Sequence, residues 1–159
     1  MGKIRTMLEK RWPLIFAFVT LTALMITFYS VSTSKNGGAF IYPLDDTYIH
    51  MAMAKNLANH GVWSIRPHGF TSSSSSPLWT LTLAVFFRIF GINDYIPLLL
   101  NIAFGFSLLI VFYLILNRWV QGQWRQILFL LGLIFIVPLH VLILSGMEHT
   151  LHNLLSLLF

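Results

Sequence analysis

Pro97-Leu98-Leu99-Leu100-Asn101-Ile102-Ala103-Phe104-Gly105-Phe106-Ser107-Leu108-Leu109-Ile110-Val111-Phe112-Tyr113-Leu114-Ile115-Leu116 is a run of 20 residues without a charge, closed by Asn117-Arg118. At 1.5 Å per residue a helix of this length covers about 30 Å, the thickness of a bilayer's hydrocarbon core. Inside that core a single segment can satisfy its backbone N–H and C=O groups only by bonding to itself. The run therefore predicts a transmembrane helix, and with it an all-α integral membrane fold.

Outward from this run the same pattern recurs on both sides. Residues 127–144 are 18 uncharged residues beginning just after Arg125, and residues 14–31 are 18 more, preceded by Lys3, Arg5, Lys10 and Arg11. Basic residues thus flank the amino terminus and the short link 117–126, and the positive-inside rule assigns both to the cytoplasm. The resulting topology is a cytoplasmic segment 1–13, transmembrane helices at 14–31, 97–116 and 127–144, a cytoplasmic link 117–126 and an extracytoplasmic loop 32–96. Residues 145–159 read as an extracytoplasmic turn and the start of a fourth helix, since the run 151–159 is apolar but too short to cross. The expectation is three to four transmembrane helices in a truncated polypeptide. A cleaved signal peptide is the competing reading of residues 14–31. The run is long for an apolar signal core and Val31-Ser32-Thr33-Ser34 is a poor cleavage site, so the span is read as retained.

Composition agrees: 57% of residues are hydrophobic, 9% are charged and the mean hydropathy is +0.76, outside the usage of water-soluble domains. The formal charge of +5 lies mostly beside the apolar runs, which points to membrane lipid as the partner and away from nucleic acid. The chain has no cysteine, so neither disulfides nor thiol catalysis enter.

The loop carries two helical patterns. Asp45-Asp46 beside a helix-forming stretch is an N-cap signal and Gly61 suits a C-cap, which predicts a helix over 47–60. Ile49, Met53 and Leu57 would form its apolar stripe, laid on the membrane surface. Residues 77–87 are apolar but end at Arg88 after only 11 residues, roughly 17 Å of helix. Counting them as a span would also move the two Arg of the 117–126 link outside. They are read as an interfacial or re-entrant helix over about 77–90, with Trp79 at the level of the headgroups.

Chemistry is concentrated in a few positions. The chain has five acids, and Asp45 and Asp46 are adjacent. One Asp suffices to cap a helix and favour its dipole; the second is then free to act as a general base or a metal ligand. Arg66 and His68 precede the serine tract 72–76 and are either solvated loop residues or charge partners for a phosphodiester. Glu148, His149 and His152 have the spacing of a weak metal-ligand set or of a polar cap between spans. No cofactor is assigned, though Asp45, Asp46 and Glu148 offer oxygen ligands to a divalent metal. His140, close to Pro138, reads as a packed histidine at a helix kink.

The series Asp45-Asp46-Thr47-Tyr48-Ile49, Ala54-Lys55-Asn56-Leu57, Gly61, Gly69-Phe70-Thr71-Ser72 and Pro77-Leu78-Trp79-Thr80-Leu81 resembles the first external loop of bacterial GT-C glycosyltransferases, notably cell-wall arabinofuranosyltransferases. Ser145-Gly146-Met147-Glu148 is similar to a Ser-Gly-Leu-Glu element further along those enzymes. The resemblance implies a multi-pass protein of the bacterial plasma membrane, amino terminus inside. It implies transfer of a sugar from a polyprenyl-phosphate donor to an extracytoplasmic glycan or lipid acceptor. It further implies an acidic catalytic residue at Asp45 or Asp46, with Asp45 favoured because Asp46 adjoins the expected helix start and is the more natural cap. Arg66, His68, Trp79 and Glu148 are the expected substrate-binding residues. A non-catalytic membrane subunit and a fragment of a polytopic transporter are the readings from other classes.

Overall fold

A computed structural model describes every residue except Met1, His68 and Ser72, with residues 2–10 described as backbone alone. The described residues form seven helices and no strand: α1 Gly2–Lys35, α2 Asp45–His60, α3 Pro77–Phe90, α4 Ile96–Trp119, α5 Gln123–Phe135, α6 Leu139–Ser145 and α7 His149–Leu158. Among them three segments are long and apolar enough to cross a membrane, Arg11–Lys35, Ile96–Trp119 and Gln123–Ser145. These are the three spans expected from the sequence.

Several boundaries differ from the sequence reading: α2 begins at Asp45 rather than at 47, and α4 and α5 extend to Trp119 and back to Gln123, shortening the link between them. The first helix continues to Lys35 rather than ending at Val31. Its polar end stays helical because the hydroxyls turn back on the helix, Thr33 Oγ1 donating to the Tyr29 carbonyl at 3.0 Å and Ser34 Oγ to that of Val31 at 3.0 Å. The third span is broken: α5 ends at Phe135 and α6 begins at Leu139, leaving residues 136–138 between them. Pro138 lacks an N–H and its ring crowds the preceding turn, which accounts for the break. His140 sits just beyond it, buried with its ring 4.9 Å from Phe28 and 6.5 Å from Phe135, a packed histidine as expected.

The spans pack through a common core. Ala17 and Leu21 of α1, Leu108 and Leu109 of α4, Leu130 and Ile134 of α5, and Leu139 and Ile143 of α6 are all 1% exposed or less. In lipid such packing rests on close contact rather than on escape from water, which favours small residues at crossings. Gly105 is one: a Cβ built there would lie 2.9 Å from Ile143 Cγ1.

Outside the spans, α2 lies along α3, and α7 along α4. The apolar positions of α2 serve this packing. Of the expected stripe, Met53 is fully buried and Ile49 and Leu57 are half-buried, while Thr47, His50, Met51 and Ala54 complete the buried face. The length of α3 matches the expected helix, and at 14 residues it spans about 21 Å, too little to cross. Its orientation does not match. Trp79 and Leu83 are fully buried, while Leu78, Leu81, Val85 and Ile89 form the exposed apolar face. Trp79 is therefore a core residue set edge-on to Phe104, not a headgroup anchor.

Candidate functional site

The first turn of α2 and the turn between α6 and α7 meet. Thr47, fully buried, donates from Oγ1 to the Ser145 carbonyl at 2.7 Å. Gly146 follows with φ +74, a left-handed conformation that glycine adopts without strain. Nothing larger fits there, since a Cβ would stand 2.6 Å from both Thr47 Cγ2 and the Tyr42 ring. Tyr42 in turn donates its hydroxyl to the Asp94 carbonyl at 2.7 Å and accepts from the Leu98 N–H at 3.1 Å, tying the segment before α2 to the start of α4. Burial raises the Tyr42 pKa well above its ordinary value, so it holds these bonds as a neutral phenol.

This junction places Glu148 beside His50. Both are buried, at 7% and 1% exposure, with Glu148 Oε2 3.7 Å from His50 Nε2. That separation exceeds a hydrogen bond, and Oε2 has no hydrogen-bond partner. On the other side of the ring, His50 Nδ1 lies 3.1 Å from Thr80 Oγ1 and 3.2 Å from Ser74 Oγ, and those hydroxyls are 2.8 Å apart. Ser75 Oγ stands 3.5 Å from Nε2. The serine tract is thus not a free linker: Ser74 and Ser75 close over the imidazole, and Ser76 is buried. With one of these hydroxyls donating to Nδ1, the ring proton would sit on Nε2, on the side of Glu148; with Nδ1 donating to a hydroxyl, Nε2 would be the bare nitrogen. Burial lowers the His50 pKa, opposed by the charges of Glu148 and Asp46. A neutral imidazole beside a buried carboxylate oxygen without a donor can hold or pass a proton, or accept a hydroxyl-bearing ligand.

Of the remaining candidates, Asp45 and Asp46 lie in the first turn of α2 and Arg66 in the loop after it. Asp45 and Asp46 are both exposed, and the N-cap is Leu44 with no side-chain cap bond. Neither Asp caps the helix, which removes the ground for preferring Asp45 as base. Asp46 precedes His50 by one turn on the same face, and its charge acts on that ring. Arg66 is exposed in the loop between α2 and α3. That loop is held by Thr71 N–H to the Trp63 carbonyl at 3.0 Å, Asn56 Nδ2 to the Ser64 carbonyl at 2.9 Å and the Arg66 N–H to Ser64 Oγ at 3.1 Å. His68 lies outside the described residues. Among the described residues no three His, Asp or Glu side chains gather closely enough to hold a metal ion. A second buried polar contact lies nearby in the chain, Thr150 Oγ1 donating to Asn101 Oδ1 between α7 and α4.

His50, Ser74 and Thr80 are absent from the candidates drawn from sequence. Their signal was present in part: His50 follows Asp46 at i+4, and a histidine between Ile49 and Met51 is polar where the helix turns inward. No family model, curated protein or solved structure matches this chain.

Proposed function

We propose that this chain carries the first external loop of a GT-C-type glycosyltransferase, which moves a sugar from a polyprenyl-phosphate donor to an acceptor outside the plasma membrane. The observation that supports it is the hydrogen bond between Thr47 and Ser145. The two elements that resemble these enzymes, Asp45 to Ile49 and Ser145 to Glu148, are far apart in sequence, and this contact makes them one site. A resemblance assigned segment by segment carries no requirement that the segments touch.

In the proposed reaction an acceptor hydroxyl attacks the anomeric carbon, the new C–O bond forms there, and the bond to the phosphate oxygen breaks. The lipid phosphate leaves as the anion, and inversion is expected from a single displacement. An exposed carboxylate, Asp45 or Asp46, takes the hydroxyl proton as general base. Arg66 is the local cation available to the leaving phosphate. His50 and Glu148, buried in α2 and in the α6–α7 turn, stand behind this end of the helix.

The test is transfer from a polyprenyl-phosphate sugar in membranes from cells altered at the native locus, with protein levels matched. Asp→Asn at the residue acting as base should lower turnover roughly 10²-fold or more, with little effect at the other. Full activity in Asp45→Asn, Asp46→Asn and their double variant would end the assignment and favour a non-catalytic subunit.

A further inference from the structure

We propose that the groove between α4 and α5 is a binding site for one anionic phospholipid, with its phosphate on Arg125 and an acyl chain along the groove floor. This inference is independent of the proposed sugar transfer. The groove has a volume of about 650 Å³ and is lined by Phe112, Phe129, Gly132, Leu133 and Ile136, with Arg125 at its edge. That volume is within the ~300–1,000 Å³ range of small-molecule sites. The lining is apolar throughout except at the one end where the guanidinium stands, which is the charge distribution of a phospholipid.

Three further features fit this occupant. The stretch Asn117-Arg118-Trp119-Val120-Gln121-Gly122-Gln123-Trp124-Arg125-Gln126 has two Arg and no acid. Neither Arg has an ion-pair partner among the described residues. A guanidinium offers a phosphate two parallel N–H donors, and basic pockets between membrane helices select anionic headgroups in this way. Trp119 and Trp124, 83% and 75% exposed, flank the same end as an interfacial belt, placing Arg125 at headgroup depth. Finally, Gly132 is a glycine in the interior of α5. Internal packing does not demand it, since a Cβ there would meet only Ile136 Cδ1, at 3.8 Å. What its missing side chain does provide is the open floor of the groove.

Native mass spectrometry of the detergent-solubilised chain tests this with phosphatidylglycerol and phosphatidylcholine of identical acyl chains. The expected result is one phosphatidylglycerol retained in preference to phosphatidylcholine. Arg125→Gln should lower that retention about tenfold, as loss of a charge-assisted bond implies. Gly132→Leu, which fills the floor and leaves the guanidinium in place, should lower it as much. Arg125 is exposed, so its variant reports binding without a folding defect, and circular dichroism checks the helix content of Gly132→Leu. Equal retention of the two lipids would overturn the proposal. Wild-type retention by Gly132→Leu would also overturn it, leaving either a headgroup contact without a groove or a face covered by another helix.

Discussion

The Thr47 hydroxyl donates a 2.7 Å hydrogen bond to the carbonyl of Ser145, 98 residues further along the chain, and the pair is buried. Through this contact the start of α2 and the turn before α7 hold a shared position. Thr47→Val keeps the shape and removes the donor, leaving a buried carbonyl unsatisfied, and should cost about 1–3 kcal/mol. Gly146→Ala should cost at least as much, because it adds strain at φ +74 to a clash with Thr47 and Tyr42. Thermal unfolding in detergent measures both, and wild-type midpoints would disprove the joint.

Gly105 and Ile143 make a second, purely steric relationship. Gly105→Ala pushes a methyl group into the Ile143 side chain and should destabilise the packing of α4 on α6 by about 1–3 kcal/mol. Ile143→Ala alone should also destabilise, by opening a cavity. Combined, the two should cost less than their sum, since each change makes room for the other. Strict additivity in a double-mutant cycle would mean that α4 and α6 are not locked at this point.

His50 gives a pH dependence whose sign follows from burial. Its folded pKa is lowered, while the unfolded side chain titrates near the ordinary ~6.5. Below that value the unfolded state takes up a proton that the folded state resists, so stability present above pH ~6.5 is lost as pH falls toward the folded pKa. The charges facing the ring, Glu148 from the α6–α7 turn and Asp46 from α2, shorten this window without reversing it. Between about pH 7.5 and 5.5 the wild type should therefore lose more thermal stability than His50→Gln. Parallel curves would place the titration elsewhere.

Sidedness is testable because the chain contains no cysteine. Single cysteines at Asn36, Ser73 and Gln121, all exposed, can be labelled with a membrane-impermeant reagent in intact cells. Labelling is expected at 36 and 73 without permeabilisation and at 121 only after it, as the positive-inside rule requires. External labelling at 121 would invert the arrangement of α4 and α5 and move Arg125 to the outer leaflet.

The sequence by itself determined the all-helical class and the three spans. A run of some 20 apolar residues has one low-energy arrangement in lipid, and its length is set by the bilayer rather than by neighbours. It also determined the extent of α3, bounded by Pro77 and Gly91, and the end of α2, where Gly61 with φ 68 receives the chain. Only the tertiary structure decided which faces of α2 and α3 turn inward. Both helices are apolar on more than one side, so periodicity cannot tell a face bound for lipid from one bound for protein, and Trp79 fits either until Phe104 stands beside it. The site is likewise a tertiary product. Asp45, Asp46 and Glu148 are visible as rare charges, but the histidine that Glu148 faces is supplied by α2, and the hydroxyls behind that ring come from the serine tract and α3. No local rule relates positions so far apart in sequence; their meeting depends on the break before Pro138 and the turn at Gly146, which bring the end of α6 back against the start of α2.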